Sequence, residues 1–273
     1  MREPSVGIVG YGVVGKSMHR LFGDSAVTLD VGATPEDRAR INACRVVFLC
    51  VPTPCAPDGA CDTAAVEECV AWISGPQIVL RSTVSPGTTD RLRRESGKPI
   101  IFQPEYIGET AAHPLADVTK HPFIILGGPI DEAARVADLY KKYYHSELRF
   151  YFTSAVTAEV AKYMENAFYA VKVTFCNEFF DVARAFGVDY NELREIWLAD
   201  PRISRDHTFV YPDNRGFSGK CLPKDVSAIR RAAADRGFDP PLLRAVMDIN
   251  QRHRADDLTY APYRRKAKRD ARS

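Results

Sequence analysis

The stretch Val6-Gly-Ile-Val-Gly10-Tyr-Gly12-Val-Val-Gly15 decides the fold of this chain. Its apolar opening predicts a strand, and the amphipathic run over 13–22 predicts a helix. Between and into them runs the pattern G-x-G-x-x-G, in which each glycine has a physical task. Gly10 allows the tight turn, Gly12 lets the backbone approach a pyrophosphate, and Gly15 lets helix pack closely on strand. The helix N-terminus adds partial positive charge for the phosphates. Asp30 follows 20 residues after Gly10, at the end of the next expected strand. A carboxylate there accepts hydrogen bonds from a ribose 2′-hydroxyl and repels a 2′-phosphate, so NAD is expected rather than NADP. Tyr11, Val13 and Val14 complete the expected cofactor-binding set around the three glycines and Asp30.

Outward from this unit, β-branched runs alternate with amphipathic ones. Strands are predicted at 5–9, 27–30, 46–51, 78–80, 100–102, 123–126 and 148–152, with helices around 13–22, 63–73 and 132–143. Pro57-Asp58-Gly59 and Gly127-Gly128-Pro129 mark turns. This alternation predicts an α/β fold, a Rossmann-type doubly wound parallel sheet. From about residue 154 the period changes: Val156, Val160, Tyr163, Ala167, Val171, Phe175, Phe179 and Val182 recur every three or four positions. No proline interrupts them before Gly187, a fitting C-cap glycine. A helix of roughly 30 residues is on the order of 45 Å long, which suits an element linking two lobes or forming a dimer seam. Further helices are predicted at 191–198, 224–235 and 241–253. The expected domains are an NAD-binding domain at 1–152, an all-helical central and dimerisation domain at 153–258, and a basic, disordered tail at 259–273.

The bulk numbers bound the function classes. With 273 residues, 45% hydrophobic and 26% charged, the chain has the make-up of a soluble protein with room for two cores. No apolar run nears the roughly 20 residues that span a bilayer, and the N-terminus runs almost at once into a strand, so no signal peptide is expected. The expected location is the cytoplasm, with no membrane partner. Seven cysteines stand at 44, 50, 55, 61, 69, 176 and 221; an odd count without C-x-x-C indicates neither a disulfide framework nor a metal site. Most are expected to be small, buried, reduced side chains. Net charge is +2, yet from Tyr260 onward six Lys/Arg face only Asp270. That tail is read as a solvated end, not a nucleic-acid contact.

Two more segments fall at the carboxyl ends of strands, where ligands bind such sheets. Val51-Pro-Thr-Pro54 offers Val51, Pro52 and Thr53 to the cofactor, its prolines stiffening the turn. Leu80-Arg-Ser-Thr83-Val-Ser-Pro-Gly87 offers Ser82 and Thr83; Thr83 is either a partner for a water or hydroxyl in the site or a helix N-cap. In Arg215-Gly-Phe-Ser-Gly-Lys-Cys-Leu-Pro-Lys-Asp225, the flanking glycines and Pro223 put Cys221 at a helix entrance. The helix dipole, Lys220 and Lys224 there favour thiolate, the nucleophilic form.

These motifs, with Pro104-Glu105-Tyr-Ile-Gly-Glu109, Ala161-Lys162-Tyr-Met-Glu-Asn166, Asn177-Glu178 and Asp200-Pro-Arg202-Ile203, occur in an order and spacing that resembles the UDP-glucose/GDP-mannose dehydrogenase family. The resemblance implies oxidation of the C6 alcohol of a nucleotide sugar to a carboxylate with two NAD, through a thiohemiacetal and a thioester on Cys221. It implies that Lys162 and Asn166, at i and i+4 of the long helix, stabilise alkoxide and oxyanion. By the same resemblance Glu105 activates water, Thr83 holds that water, and Asp225 positions the nucleophile. Glu109, Arg202, Phe217 and Gly219 face substrate, Arg202 in some members from the partner subunit, and Lys224 joins the cofactor residues. A homodimer is implied. The chain departs from the family in lacking its third, nucleotide-gripping lobe after Asn250: it is either a piece of a longer protein or a naturally short enzyme, and the basic tail favours the second. Ser218 stands where the family has glycine, and Tyr106-Ile-Gly-Glu replaces Phe-Leu-Arg-Glu, which leaves the sugar, or even a nucleoside, open. The alternatives are a two-electron alcohol dehydrogenase acting on a nucleoside or small sugar, and a non-catalytic NAD-binding relic.

Overall fold

The computed structural model of the chain describes residues 6–107, 115–144 and 147–255. Glu109 and the basic tail lie outside the described residues. The chain forms two compact units, Met1–Tyr163 and Met164–Ser273.

The first unit is built on a seven-stranded sheet of β1 (Val6–Val9), β2 (Ala26–Leu29), β3 (Val46–Leu49), β4 (Gln77–Leu80), β5 (Ile100–Phe102), β6 (Phe123–Gly127) and β7 (Arg149–Thr153), in the order β2-β1-β3-β4-β5-β6-β7. The first five strands are parallel. Burial on both faces explains why β1, β3 and β4 read as near-continuous apolar runs and why every residue in them is buried. Successive side chains feed two cores: Ile8, Phe48, Val79 and Ile101 on one side, Val9, Leu49, Leu80 and Phe102 on the other. The wholly parallel sheet of the sequence reading needs one amendment. The β6–β7 pair is parallel within itself but meets β5 antiparallel, through Phe102 and Gly127. Among the described residues joining β5 to β6 there is only a 3-10 turn at Val118–Lys120, and a parallel neighbour would need a longer crossover.

Helices α1 (Val13–Phe22), α2 (Pro35–Asn42), α3 (Ala64–Trp72), α4 (Thr88–Ser96) and α5 (Ile130–Tyr140) flank the sheet. Two of these, α2 and α4, carry almost no apolar residues and escape a periodicity reading. Local chemistry makes α2: Thr34 and Asp37 form a capping box, with Pro35 in the first turn. The cap of α4 comes from far away. Glu159, fully buried on α6 (Ala155–Phe186), accepts from the Gly87 and Thr89 amides at 2.6 and 2.9 Å and from the Thr89 hydroxyl at 2.6 Å.

The second unit is helical: the remainder of α6, then α7 (Tyr190–Trp197), α8 (Leu222–Ala234) and α9 (Pro241–Arg254). Gly187 ends α6 at φ +70°, a conformation glycine adopts without strain. Ala167, Ala170, Val173, Phe217, Val226 and Val246 form its main core. Among the described residues, no helix is long and apolar enough to cross a membrane.

Candidate active site

The turn after β1 uses its glycines as the motif requires. Gly10 sits at φ +91°, and a Cβ there would meet the Cys50 carbonyl oxygen at 2.6 Å. A Cβ on Gly15 would fall 1.9 Å from the Gly10 carbonyl oxygen, so α1 rests directly on the turn. At Gly12 a Cβ would meet nothing within 4 Å. Protein packing therefore does not demand glycine there, whereas close approach of a pyrophosphate does. Gly12 is also the N-cap of α1, with no side-chain cap and no acidic residue in the first turn, so the first amides remain for an anion. These residues fit a dinucleotide. Val13 is exposed, Val14 half-buried, and Asp30 is exposed one residue past β2. Tyr11 turns along α1, its hydroxyl 2.5 Å from His19 Nδ1.

Two neighbouring loops are laced together. The Ser82 hydroxyl donates to the Val51 carbonyl at 2.6 Å, and the Thr53 hydroxyl donates to the Thr83 carbonyl at 2.6 Å. Both hydroxyls thus fix backbone, leaving Val51 and Pro52 to shape the loop. Thr83 is not a helix cap, because the N-cap of α4 is Gly87; of its two readings, the capping one is removed. Glu105 is buried against Arg81, also buried, and accepts from the Ile107 amide at 2.5 Å. Lys162 is buried as well and lies 4.8 Å from the centre of the Tyr106 ring, a cation–π contact. The first unit therefore brings Glu105, Tyr106 and Lys162 into one neighbourhood.

In the helical unit Cys221 is exposed and occupies the N-cap of α8, with Pro223 in the first turn. One turn on, Asp225 is buried, and its carboxylate accepts from Asn166 Nδ2 and Lys224 Nζ, each at 2.5 Å. Lys224, expected beside the thiol and among the cofactor residues, is paired with Asp225. Asn166 and Asp225, 59 positions apart, are direct partners. Phe217 is buried and Gly219 is exposed at φ +85°. Arg202 is exposed and forks onto Asp200, with bonds of 2.6 to 3.0 Å.

Sequence reasoning missed the groups that hold this loop. Asn250 accepts from the Phe217 amide at 2.7 Å and donates to the Phe217 carbonyl at 3.0 Å. Asn177, quoted only as part of a motif, accepts from Arg215 and from the Gly216 amide, while Arg215 pairs with Asp181. Arg81 was overlooked likewise, although it stands beside Ser82 in a quoted segment.

Comparison with known proteins agrees with this architecture. The NAD binding domain model of the UDP-glucose/GDP-mannose dehydrogenase family matches residues 13–144, and its central domain model matches 156–252. The UDP-glucose 6-dehydrogenase of Pseudomonas aeruginosa is 32% identical over 226 residues, 77% of this chain and 49% of that protein. The GDP-mannose 6-dehydrogenase of Azotobacter vinelandii is 29% identical over 259 residues, 87% of this chain and 58% of that one. Among solved structures, a UDP-glucose dehydrogenase from Pyrobaculum islandicum superposes with a TM-score of 0.79 at 27% identity, over 92% of this chain and 68% of its own. The chain spans about half the length of the curated relatives it matches.

Proposed function

The chain belongs to the UDP-glucose/GDP-mannose dehydrogenase family, and on that premise we propose that it oxidises the primary alcohol of a nucleotide sugar to the carboxylate through covalent adducts on Cys221. The observation that carries this reading is an exposed thiol at the mouth of α8, with Asp225 one turn on held between Asn166 and Lys224. Gly10, Gly12 and Gly15 would cradle NAD, with Asp30 at its ribose, and the bound cofactor would accept hydride, two equivalents per substrate.

The rest is the work of the chain. Cys221 adds as thiolate to the aldehyde carbon; a C–S bond forms and the carbonyl oxygen takes up a proton. Loss of a second hydride from that carbon gives the thioester, and water then displaces sulfur and frees the acid. One alcohol, two NAD and one water yield one carboxylate, two NADH and three protons. Lys162 and Asn166, one helical turn apart, are the donors for alkoxide and oxyanion. Glu105 and Thr83 serve the water; Glu109, Arg202, Phe217 and Gly219 serve the substrate.

The homodimer belongs to the same proposal. Met164, Phe168, Phe175, Phe179, Val182 and Phe186 are all exposed along α6, an apolar stripe of the kind that marks an interface. The cytoplasm, where thiols stay reduced, suits a chain whose described cysteines are all thiols.

The test is NADH counted per substrate consumed, over UDP-sugars, GDP-sugars and nucleosides. Two NADH are expected, and Cys221→Ser is expected to lower acid formation about 1,000-fold or more while leaving NAD affinity unchanged. Acid made by that variant at the parental rate overturns the covalent route, and one NADH per substrate favours the two-electron dehydrogenase.

A further inference from the structure

Cys55 and Cys61 face each other across a two-stranded ribbon that follows β3. The bonds on either side of the pair run from the Ala56 amide to the Ala60 carbonyl, 2.8 Å, and from the Asp62 amide to the Pro54 carbonyl, 2.9 Å. The cysteines themselves exchange no backbone bond, so they occupy a non-hydrogen-bonded position of the ladder. Directly opposed residues there have Cα atoms about 4.5 Å apart and side chains on the same face. That separation lies within the roughly 4.4–6.8 Å window of disulfides. The turn between them pins the register: Gly59, at φ +86°, donates to Ala56, and the Ala60 amide donates to the Asp58 carboxylate at 3.0 Å.

The two thiols differ in access. Cys55 is exposed, while Cys61 is buried with its Sγ 3.3 Å from the Thr83 carbonyl. The neighbouring cysteines compete poorly, because burial pushes the Cys44 and Cys69 thiols up to about 11 and the Cys50 thiol up to about 12.

We propose that Cys55 and Cys61 form a reversible disulfide with a low-molecular-weight disulfide, such as oxidised glutathione, as oxidant. The exposed Cys55 thiolate attacks one sulfur of the oxidant, forming a mixed disulfide and releasing one thiol. Cys61 thiolate then attacks the Cys55 sulfur, closing the bridge and releasing the second thiol. The protein gives up two electrons and two protons, and the oxidant takes them. Closing the bridge removes the Cys61 S–H as a donor to the Thr83 carbonyl, which also holds the Thr53 hydroxyl. The segment carrying Val51–Thr53 thereby loosens, and NAD binding weakens several-fold until a reductant restores it. The bridge itself does not rest on the dehydrogenase reading.

The experiment treats the full chain with oxidised glutathione, alkylates the remaining thiols, and cleaves on the amino side of aspartates. Cuts before Asp58 and Asp62 free a peptide of residues 58–61 containing Cys61. The expected result is that this peptide stays joined to the fragment containing Cys55 until it is reduced, and is recovered alone and alkylated from Cys55→Ser. Recovery of 58–61 alone from the oxidised parent, or its attachment through another cysteine in Cys55→Ser, overturns the proposal. NAD affinity equal in oxidised and reduced protein overturns the coupling to the loop.

Discussion

Two substitutions of glycine by alanine, three positions apart, should fail in opposite ways. At Gly12 a new Cβ meets nothing within 4 Å, and φ of −74° is comfortable for alanine. The fold should therefore change by less than about 1 kcal/mol, the small N-cap loss being offset by reduced freedom of the unfolded chain. Bound pyrophosphate, however, needs that space. Pushing it away from one or two α1 amides forfeits about 1.5–3 kcal/mol per charge-assisted bond, a fall in affinity of roughly 10-fold to more than 100-fold. At Gly15 the added Cβ lies 1.9 Å from the Gly10 carbonyl oxygen. To reach an ordinary contact, α1 must retreat by about 1.5 Å or more from the turn it rests on, and overpacking of that kind costs about 1–3 kcal/mol or more. Thermal melts with and without NAD, paired with calorimetric NAD titrations of the full chain, separate the two. Gly12→Ala is expected to melt like the parent and bind NAD poorly; Gly15→Ala is expected to melt lower even without NAD. Parental NAD affinity in Gly12→Ala, or a melting point lowered as far as in Gly15→Ala, refutes the reasoning.

Asp30→Ala is expected to narrow the preference for NAD over NADP by about tenfold or more, roughly 1.4 kcal/mol, measured as the ratio of dissociation constants; an unchanged ratio removes Asp30 from the ribose site. Asn250→Ala strips both backbone partners from buried Phe217 and should cost about 2–4 kcal/mol in urea unfolding, and a loss under about 1 kcal/mol means the loop is held by other groups. Burial raises the Glu159 carboxyl above its ordinary value, against the pull of its bonds to Thr89 and Gly87. The folded chain then binds that proton more tightly than the unfolded one, so this group's contribution is full at low pH and falls as pH rises through the raised value. The stability of the parent relative to Glu159→Gln should accordingly decline as pH rises above the ordinary carboxyl range, and a flat or rising difference contradicts the sign.

The strands were legible because burial on both faces leaves an apolar run with few exceptions, and β3, Val-Val-Phe-Leu, is the plain case. The long helix was legible because its apolar residues recur every three or four positions and Gly187 stops it, although Val156, Val160, Phe175, Phe179 and Val182 of that series are exposed. What escaped the sequence was held by distant partners. Within α4, Leu92 is the lone large apolar residue, and the helix begins where a carboxylate about 70 positions away accepts its amides. The candidate site divides along the same line. The glycines and Cys221 announce themselves by spacing, whereas the pairing of Lys224 with Asp225, of Asp225 with Asn166, and of Glu105 with Arg81 depends on tertiary folding that no local pattern encodes.

The first turns of α6 also bear on how this protein can be cut. A reader dividing the chain where its hydrophobic rhythm changes would stop near residue 152. Ala155 and Ala158 nevertheless belong to the sheet's own core, and a Cβ on Gly127 would strike Ala158 at 2.7 Å. Glu159 finishes a helix whose residues were made long before it on the ribosome. Excised at 152, the nucleotide half would lack the plug and the cap that complete it, and a free-standing version should carry the chain at least through Glu159.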